Sequence, residues 1–463
     1  MPRRSVPSLR IRRGNDRRTA LTDLGAREGE QGAIRLVVVD IGPEDLELLT
    51  KFVLRLGGYA EGLFDYHHFD FPKAILKGHI DSVRGDLDGM RGAVRGSALT
   101  LRPPNLAQDA VWEEADEAWN YGQTLRFAAG TTMIAQRYRD RMSPENLRKA
   151  LTAKILHHCQ AGLLDDLIDT GRYTFIEAKD LYHHCLASMI DPDFEINTFR
   201  KELALSLNQE QLSMFDLMTN ITSAFNKLFL ESPNGQDLFY EMVRIDERLL
   251  LGQALTMFQK QPTMDLQKLK RISSSLSAPD PDLKWHERIS QCLSGASYYN
   301  LVDMCFLSEP VSQRELRTTL EAWFYYDLVI TQLNHIVGVH KDLRAGIANL
   351  SLIAMRENEV LGLGSLHGYT PSLTVRDYEE QLGRIAEFSR RALSIATEGE
   401  EDPQLFYPFI TLMIPVVMMA DWIGNRDDMI HRYLQLIAPE VRRVTAASLP
   451  AALDAIRVAT EAR

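Results

Sequence analysis

Positions 165 to 169 read Asp-Asp-Leu-Ile-Asp, at the end of the helical-looking run that starts at Glu145. Asp165 and Asp169 stand four residues apart and so share one helix face, while Asp166 is turned aside. Two carboxylates held together repel, and they keep protons more readily than isolated aspartates do. A cation between them removes the repulsion. Hard oxygen donors in this pattern suit Mg²⁺, which keeps several waters and joins one or two carboxylates to a substrate phosphate. A second run, NHIVGVHKD, places Asn334, Gly338 and Asp342 at i, i+4 and i+8, one stripe of one helix with oxygen donors at both ends. Taken singly, either run is readily a solvated charged face. Their co-occurrence is what points to metal-assisted chemistry.

The elements that must hold these residues are helices. From about Leu101 to the C-terminus the apolar residues recur with helical spacing, as in ENLRKALTAKILHHC, QLSMFDLMTNITSAFNKLFL and RIAEFSRRALSIA, and alternating strand patterns are absent. Before that point RLVVVDIG, from Arg35, reads as a strand. PEDLELLTKFVLRLGG, from Pro43, reads as a helix with proline at its start, acids in its first turn and glycines at its end. The stretch SSSLSAPDPD, from Ser273, is a loop. The expected organisation is a basic tail over 1–33, a small appendage over 34–100, a large all-α unit over 101–445, and a helix or tail over 446–463.

Composition narrows the function classes. The chain has 463 residues, 45% hydrophobic and 25% charged, enough to bury a large core. A net charge of -11 argues against a general nucleic-acid binder, which needs a basic face to displace counterions from phosphate. Four scattered cysteines (Cys159, Cys185, Cys292, Cys305) offer neither a disulfide framework nor a CxxC metal site and suit a reducing cytoplasm. FITLMIPVVMMADWIG, from Phe409, is broken by Pro415 and Asp421 and reads as a buried core helix, so no membrane span is expected. The histidine pairs at 67/68, 157/158 and 183/184 lack the Cys or acidic partners of a zinc site. GLGSLHG follows no strand and is not a phosphate loop.

Together the two acidic runs resemble the metal motifs of class I terpene synthases. DDLID is similar to the aspartate-rich first motif, and Asn334, Gly338 and Asp342 to the second, which usually runs Asn, Ser or Thr, Glu, with a Lys just before the Glu; Lys341 stands at that lysine position. WIGNRDDMIHRY ends in Arg432-Tyr433, similar to the Arg-Tyr pair with which bacterial-type members grip diphosphate, with Trp422 and Asn425 ahead of it. Arg288 stands where the family's diphosphate-sensing arginine is expected. LRPPNLAQDAVWEEADEAW, from Leu101, looks like the start of the family's catalytic domain, so the resemblance covers about residues 100 to 440.

That resemblance implies an isoprenoid-synthase helical bundle with three Mg²⁺ ions. Asp165 and Asp169 would hold one pair and Asn334 with Asp342 the third, while Arg288, Lys341, Arg432 and Tyr433 would neutralise the diphosphate of a prenyl substrate. It leaves room for a homodimer. An apolar, aromatic-lined cavity would shield the carbocation, with Trp323, Phe324, Tyr325, Phe406 and Trp422 as candidate walls. Small residues in Gln160-Ala161-Gly162-Leu163-Leu164, where many relatives carry aromatics, lean toward a C20 substrate over a C15 one. The chain departs from the pattern at Gly338, which lacks the hydroxyl ligand, at Asp342, one methylene shorter than Glu, and at His335, where Asp is common. The interval between the metal motifs is long for the family and suggests an insertion near Ser273. No DxDD and no second DDxxD is present, which disfavours a class II cyclase and a chain-elongating prenyl transferase. The non-enzyme alternative is a degenerate helical protein that binds a partner through the old cavity.

Overall fold

The computed structural model describes residues 39–40, 43–69, 73–93, 99–100, 130–170, 175–207, 215–257, 265–345, 348–363, 366, 369–398, 405–419 and 427–461. These residues are all-α apart from loops and one short strand pair, in which Val39–Asp40 (β1) runs parallel to Leu99–Thr100 (β2). Of the strand read in RLVVVDIG, the described part is therefore two residues long. Residues 37–463 form one compact unit.

Helix α1 (Pro43–Tyr66) and α2 (Lys73–Ala93) form a hairpin inside that unit. The glycines read as the end of α1 do not end it. Gly57 lies mid-helix because a Cβ there would come within 3.1 Å of Ile80, so its absence is what lets α1 and α2 approach closely. The hairpin is bound to the body by buried groups. Asp86 of α2 accepts from Gln136 at 2.9 Å and from Arg139 at 3.0 Å, and the His79 ring stacks on Phe409 at 4.3 Å. No unit boundary falls near residue 100.

The body is built on α3 (Pro144–Thr170), α4 (Phe175–Ile190), α5 (Ile196–Ser206), α6 (Phe215–Leu230) and α7 (Gly235–Met257). It continues with α8 (Leu266–Ser274), α9 (Trp285–Ser290), α10 (Ala296–Cys305) and the long α11 (Gln313–Ala345). Then follow α12 (Leu350–Met355), α13 (Glu357–Leu363), α14 (Val375–Thr397), α15 (Phe406–Met419) and α16 (Asp427–Glu461). α16 runs unbroken through Pro439 and Pro450, so no separate segment begins at 446. α15 is buried around Pro415 as a core helix, and no described helix is long and apolar enough to cross a membrane. LRPPNLAQDAVWEEADEAW, from Leu101, lies outside the described residues.

α10 is the axis of the bundle, and polar groups fix it. All of its residues are buried. Its first N–H groups, from Ala296 and Ser297, donate to Asp327 of α11 at 3.0 and 3.3 Å, and Arg248 of α7 donates to the same carboxylate at 2.9 Å. The acid thus neutralises the positive helix start, and the arginine balances the acid. At the other end Lys154 of α3 meets Asp303 at 2.7 Å with both side chains fully buried. Burial pushes the Asp303 carboxyl up to about 6 against the pull of Lys154, and pushes the Lys154 ammonium down. Losing one partner of such a pair costs roughly 3–5 kcal/mol because the other charge is stranded.

Candidate functional site

Contacts along α10 set the relative directions of the helices that carry the motifs. Lys154 meets Asp303 and, one turn on, His158 Nδ1 lies 3.2 Å from the Tyr299 hydroxyl, so α3 is antiparallel to α10. α10 passes through a short connection into α11, whose Asp327 then returns to the start of α10, so these two are antiparallel as well. α3 and α11 therefore run in the same direction. They also begin together, with Arg141 paired to Glu315 and Arg137 donating to Thr319 at 2.7 Å. At about 1.5 Å per residue, the backbone of Asp165–Asp169 lies roughly 10–17 Å beyond His158, and Asn334–Asp342 roughly 10–23 Å beyond Asp327. Both motifs thus sit at the same end of the bundle, past the start of α10.

α14 brings a third piece there. Gln381 donates to Gln332 at 2.6 Å and the Phe388 ring faces Tyr325 at 6.3 Å, so α14 is antiparallel to α11 and Glu379 stands level with the Asn334 stripe. Arg432 of α16 lies 3.6 Å from Glu379 and is half exposed. Its neighbour Tyr433 points the other way, fully buried with its hydroxyl on Ser389, and burial holds the phenol above its ordinary range. The Arg-Tyr pair thus does not act as one group: Arg432 faces the motif end and Tyr433 seats α16 on α14.

Within the second motif, Asn334 is exposed, and Gly338 and Asp342 are half-buried. A Cβ on Gly338 would lie 3.3 Å from Asp342 Oδ2, so the bare glycine leaves the carboxylate's flank open. Asp342 itself accepts from Asn349 Nδ2 at 2.7 Å. Asn349 is the N-cap of α12: its Oδ1 accepts from Leu352 N at 2.8 Å, and its Nδ2 also donates to the His335 carbonyl at 2.7 Å. His335 is buried and accepts from Leu350 N through Nδ1 at 2.9 Å, and burial lowers it to about 4. The His335 imidazole thus fastens α12 to α11.

Arg288 is committed elsewhere. Its guanidinium donates to three backbone carbonyls, Leu283 at 3.1 Å, Leu276 at 2.8 Å and Pro281 at 3.1 Å. It clamps the loop after α8, which Asp280 also anchors by accepting from Tyr325 at 3.1 Å. The aromatic residues read as cavity wall are packed: Trp323, Phe324, Tyr325 and Phe406 are all buried, Trp323 against Tyr326 at 5.0 Å between centroids. The side chains of Asp165, Asp166, Asp169 and Lys341, and all of Trp422 and Asn425, lie outside the described residues. Among the described residues no group of three or more His, Cys, Asp or Glu surrounds one point.

Asn349 and Glu379 are the site-end residues that sequence reading missed. An Asn before an apolar run is an N-cap signal, but its bond to Asp342 and the Glu379–Arg432 pair depend on tertiary placement. No protein-family model matches the chain, and no curated protein matches it.

Proposed function

We propose that the protein is a class I terpene synthase on an isoprenoid-synthase fold, ionising a linear prenyl diphosphate and cyclising the carbocation. The observation that carries this reading is the arrival of the DDLID end of α3 and the Asn334–Gly338–Asp342 stripe of α11 at one end of the bundle, with Arg432 drawn to the same end by Glu379. The donor set suits hard divalent cations: an amide and a carboxylate oxygen on one stripe, and a bare glycine between them that leaves room for water. Asp165 and Asp169 would hold one pair of Mg²⁺ ions, with Asp166 beside them, and Asn334 with Asp342 the third. Bound Mg²⁺ supplies charge stabilisation for the departing diphosphate. Lys341 and Arg432 add fixed positive charge for the same anion. Asn349 orients Asp342, and Tyr433 holds α16 so that Arg432 projects toward the site. Arg288 has no free role here while its donors clamp the Ser273 loop. The free cysteines accord with a cytoplasmic setting.

A second reading, a non-catalytic helical binding protein, is favoured by the Arg288 clamp and by the packed aromatic core. Incubating the full chain with C10, C15 and C20 prenyl diphosphates and Mg²⁺, read by gas chromatography, separates the two. The expected result is a chelator-sensitive product that Asp165→Ala abolishes while helical circular dichroism is unchanged. Turnover undiminished by chelator sinks the metal mechanism, and no product from any diphosphate favours the binding protein.

A further inference from the structure

α1 ends on an imidazole pair. After Tyr66 the chain closes with Phe69 N donating to Phe64 O at 2.9 Å, and His68 takes the left-handed conformation, φ 51°, that this closure requires. The turn aims His67 at α16, where its Nε2 lies 2.8 Å from His431 Nδ1. The rings are 5.0 Å apart, and Tyr66 stands edge-on to both. From about three turns further along α16, Arg442 donates to the His67 carbonyl at 2.9 Å and lies over the Phe69 ring at 5.8 Å. His67 and His431 are 364 residues apart in sequence, so this contact ties the end of α1 to α16.

We propose that the His67–His431 pair is an acid-sensitive clasp between the N-terminal helix hairpin and α16. A bond between two imidazoles needs one N–H and one lone pair. It forms when both rings are neutral and survives a single shared proton. A second proton removes the last lone pair and sets two cations against each other. Among the described residues, the charged and titratable groups acting on His67 are His431 and Arg442 of α16 and His68 of its own turn, while Asp428, on the turn of α16 before His431, is exposed. Burial first, and then these positive neighbours, lower the His67 pKa. The sign follows: the contact stabilises fully above the ordinary histidine range and is lost as pH falls through the lowered value. Asp86 and the His79–Phe409 stack remain in place, so the opening is confined to the end of α1 and the facing turn of α16.

Hydrogen exchange on the full chain between pH 7.5 and 5.0, corrected for intrinsic rates, tests this. Peptides covering 60–69 and 428–435 are expected to open at least about tenfold more at pH 5.0 than at 7.0, while α11 peptides stay protected. His431→Gln, which keeps a donor and an acceptor but does not titrate, should flatten that dependence. His67→Gln should do the same and guards against a folding defect in one variant. Wild-type protection of 60–69 that is independent of pH overturns the proposal, as does the same pH dependence persisting in both glutamine variants.

Discussion

Asn349 Nδ2 lies 2.7 Å from Asp342 Oδ2, a hydrogen bond from the cap of α12 to the last carboxylate of the α11 stripe. One buried amide thus does two jobs, closing the start of α12 and fixing the rotamer of Asp342. Asn349→Ala is expected to destabilise the fold by about 1–3 kcal/mol, from the lost cap and the lost side-chain bonds to Asp342 and the His335 carbonyl. Asn349→Asp keeps the cap oxygen but places two carboxylates together, so it should bind divalent cation at this end more tightly or unfold at higher pH. Urea unfolding with and without Mg²⁺ reads both. No stability change in the alanine variant would show that the amide is idle.

The fold class was legible because helical periodicity is a local property that runs almost unbroken from α3 to α16. The end of α1 was misread because glycine's entropic cost is local, whereas its benefit at Gly57, closeness to Ile80, belongs to the partner helix. The candidate site was read as two stripes, which the helix directions bring to one end of the bundle. What the stripes could not convey was that Arg288 spends its donors on backbone carbonyls, or that Tyr433 turns inward to Ser389 while Arg432 faces out. Side-chain direction at the end of a pattern is decided by neighbours far away in sequence.

Beginning the chain at Ser97 spares every chemical motif and, on sequence alone, should leave a working domain. The structure argues the reverse. The cut removes Asp86 from Gln136 and Arg139, strips His79 from Phe409, and exposes the apolar surface that α1 and α2 cover, Val53, Leu56, Ile80 and Val83 among it. The truncated chain should bind hydrophobic dye and lose near-ultraviolet dichroism. A cooperative unfolding transition at the full chain's midpoint would show that the hairpin is dispensable.

Stability should fall steeply in mild acid. His157, His184, His286 and His335 are buried, and burial pushes them down to about 3, 4, 4 and 4. Their folded pKa values lie below the unfolded 6.5, so their contribution is complete above that value and is lost as pH falls through the folded ones. Each removes up to about 1.4 kcal/mol per pH unit in that window. Burial raises the carboxyls of Asp246, Asp303 and Asp327, which act in the opposite sense but are fewer than the histidines that burial lowers, His67, His158 and His183 included. Urea midpoints at constant ionic strength should therefore drop from pH 7 to 5, with a net uptake of protons on unfolding near pH 5. A flat or rising profile would mean that these imidazoles are hydrated.

On the proposed terpene-synthase reading, substrate length is expected to turn on the stretch before DDLID. Gln160 is buried and donates to Thr222 at 3.1 Å, which fixes the rotation of α3 at this point. Two residues on, a Cβ at Gly162 would meet nothing within 4 Å, and Ala161 is half-buried. The chain thus leaves open space one turn below the carboxylates, where a bulky side chain would shorten a guest chain held by its diphosphate. The backbone at Gly162 accommodates a Cβ, and on the proposed reading a phenylalanine there would take volume from the substrate. Gly162→Phe is therefore expected to depress turnover of the C20 diphosphate more than that of the C15, since overpacking penalises the larger guest first. Competition between the two substrates reads the ratio directly: a wild-type preference for C15, unaltered by the substitution, would place the chain-length limit on another helix.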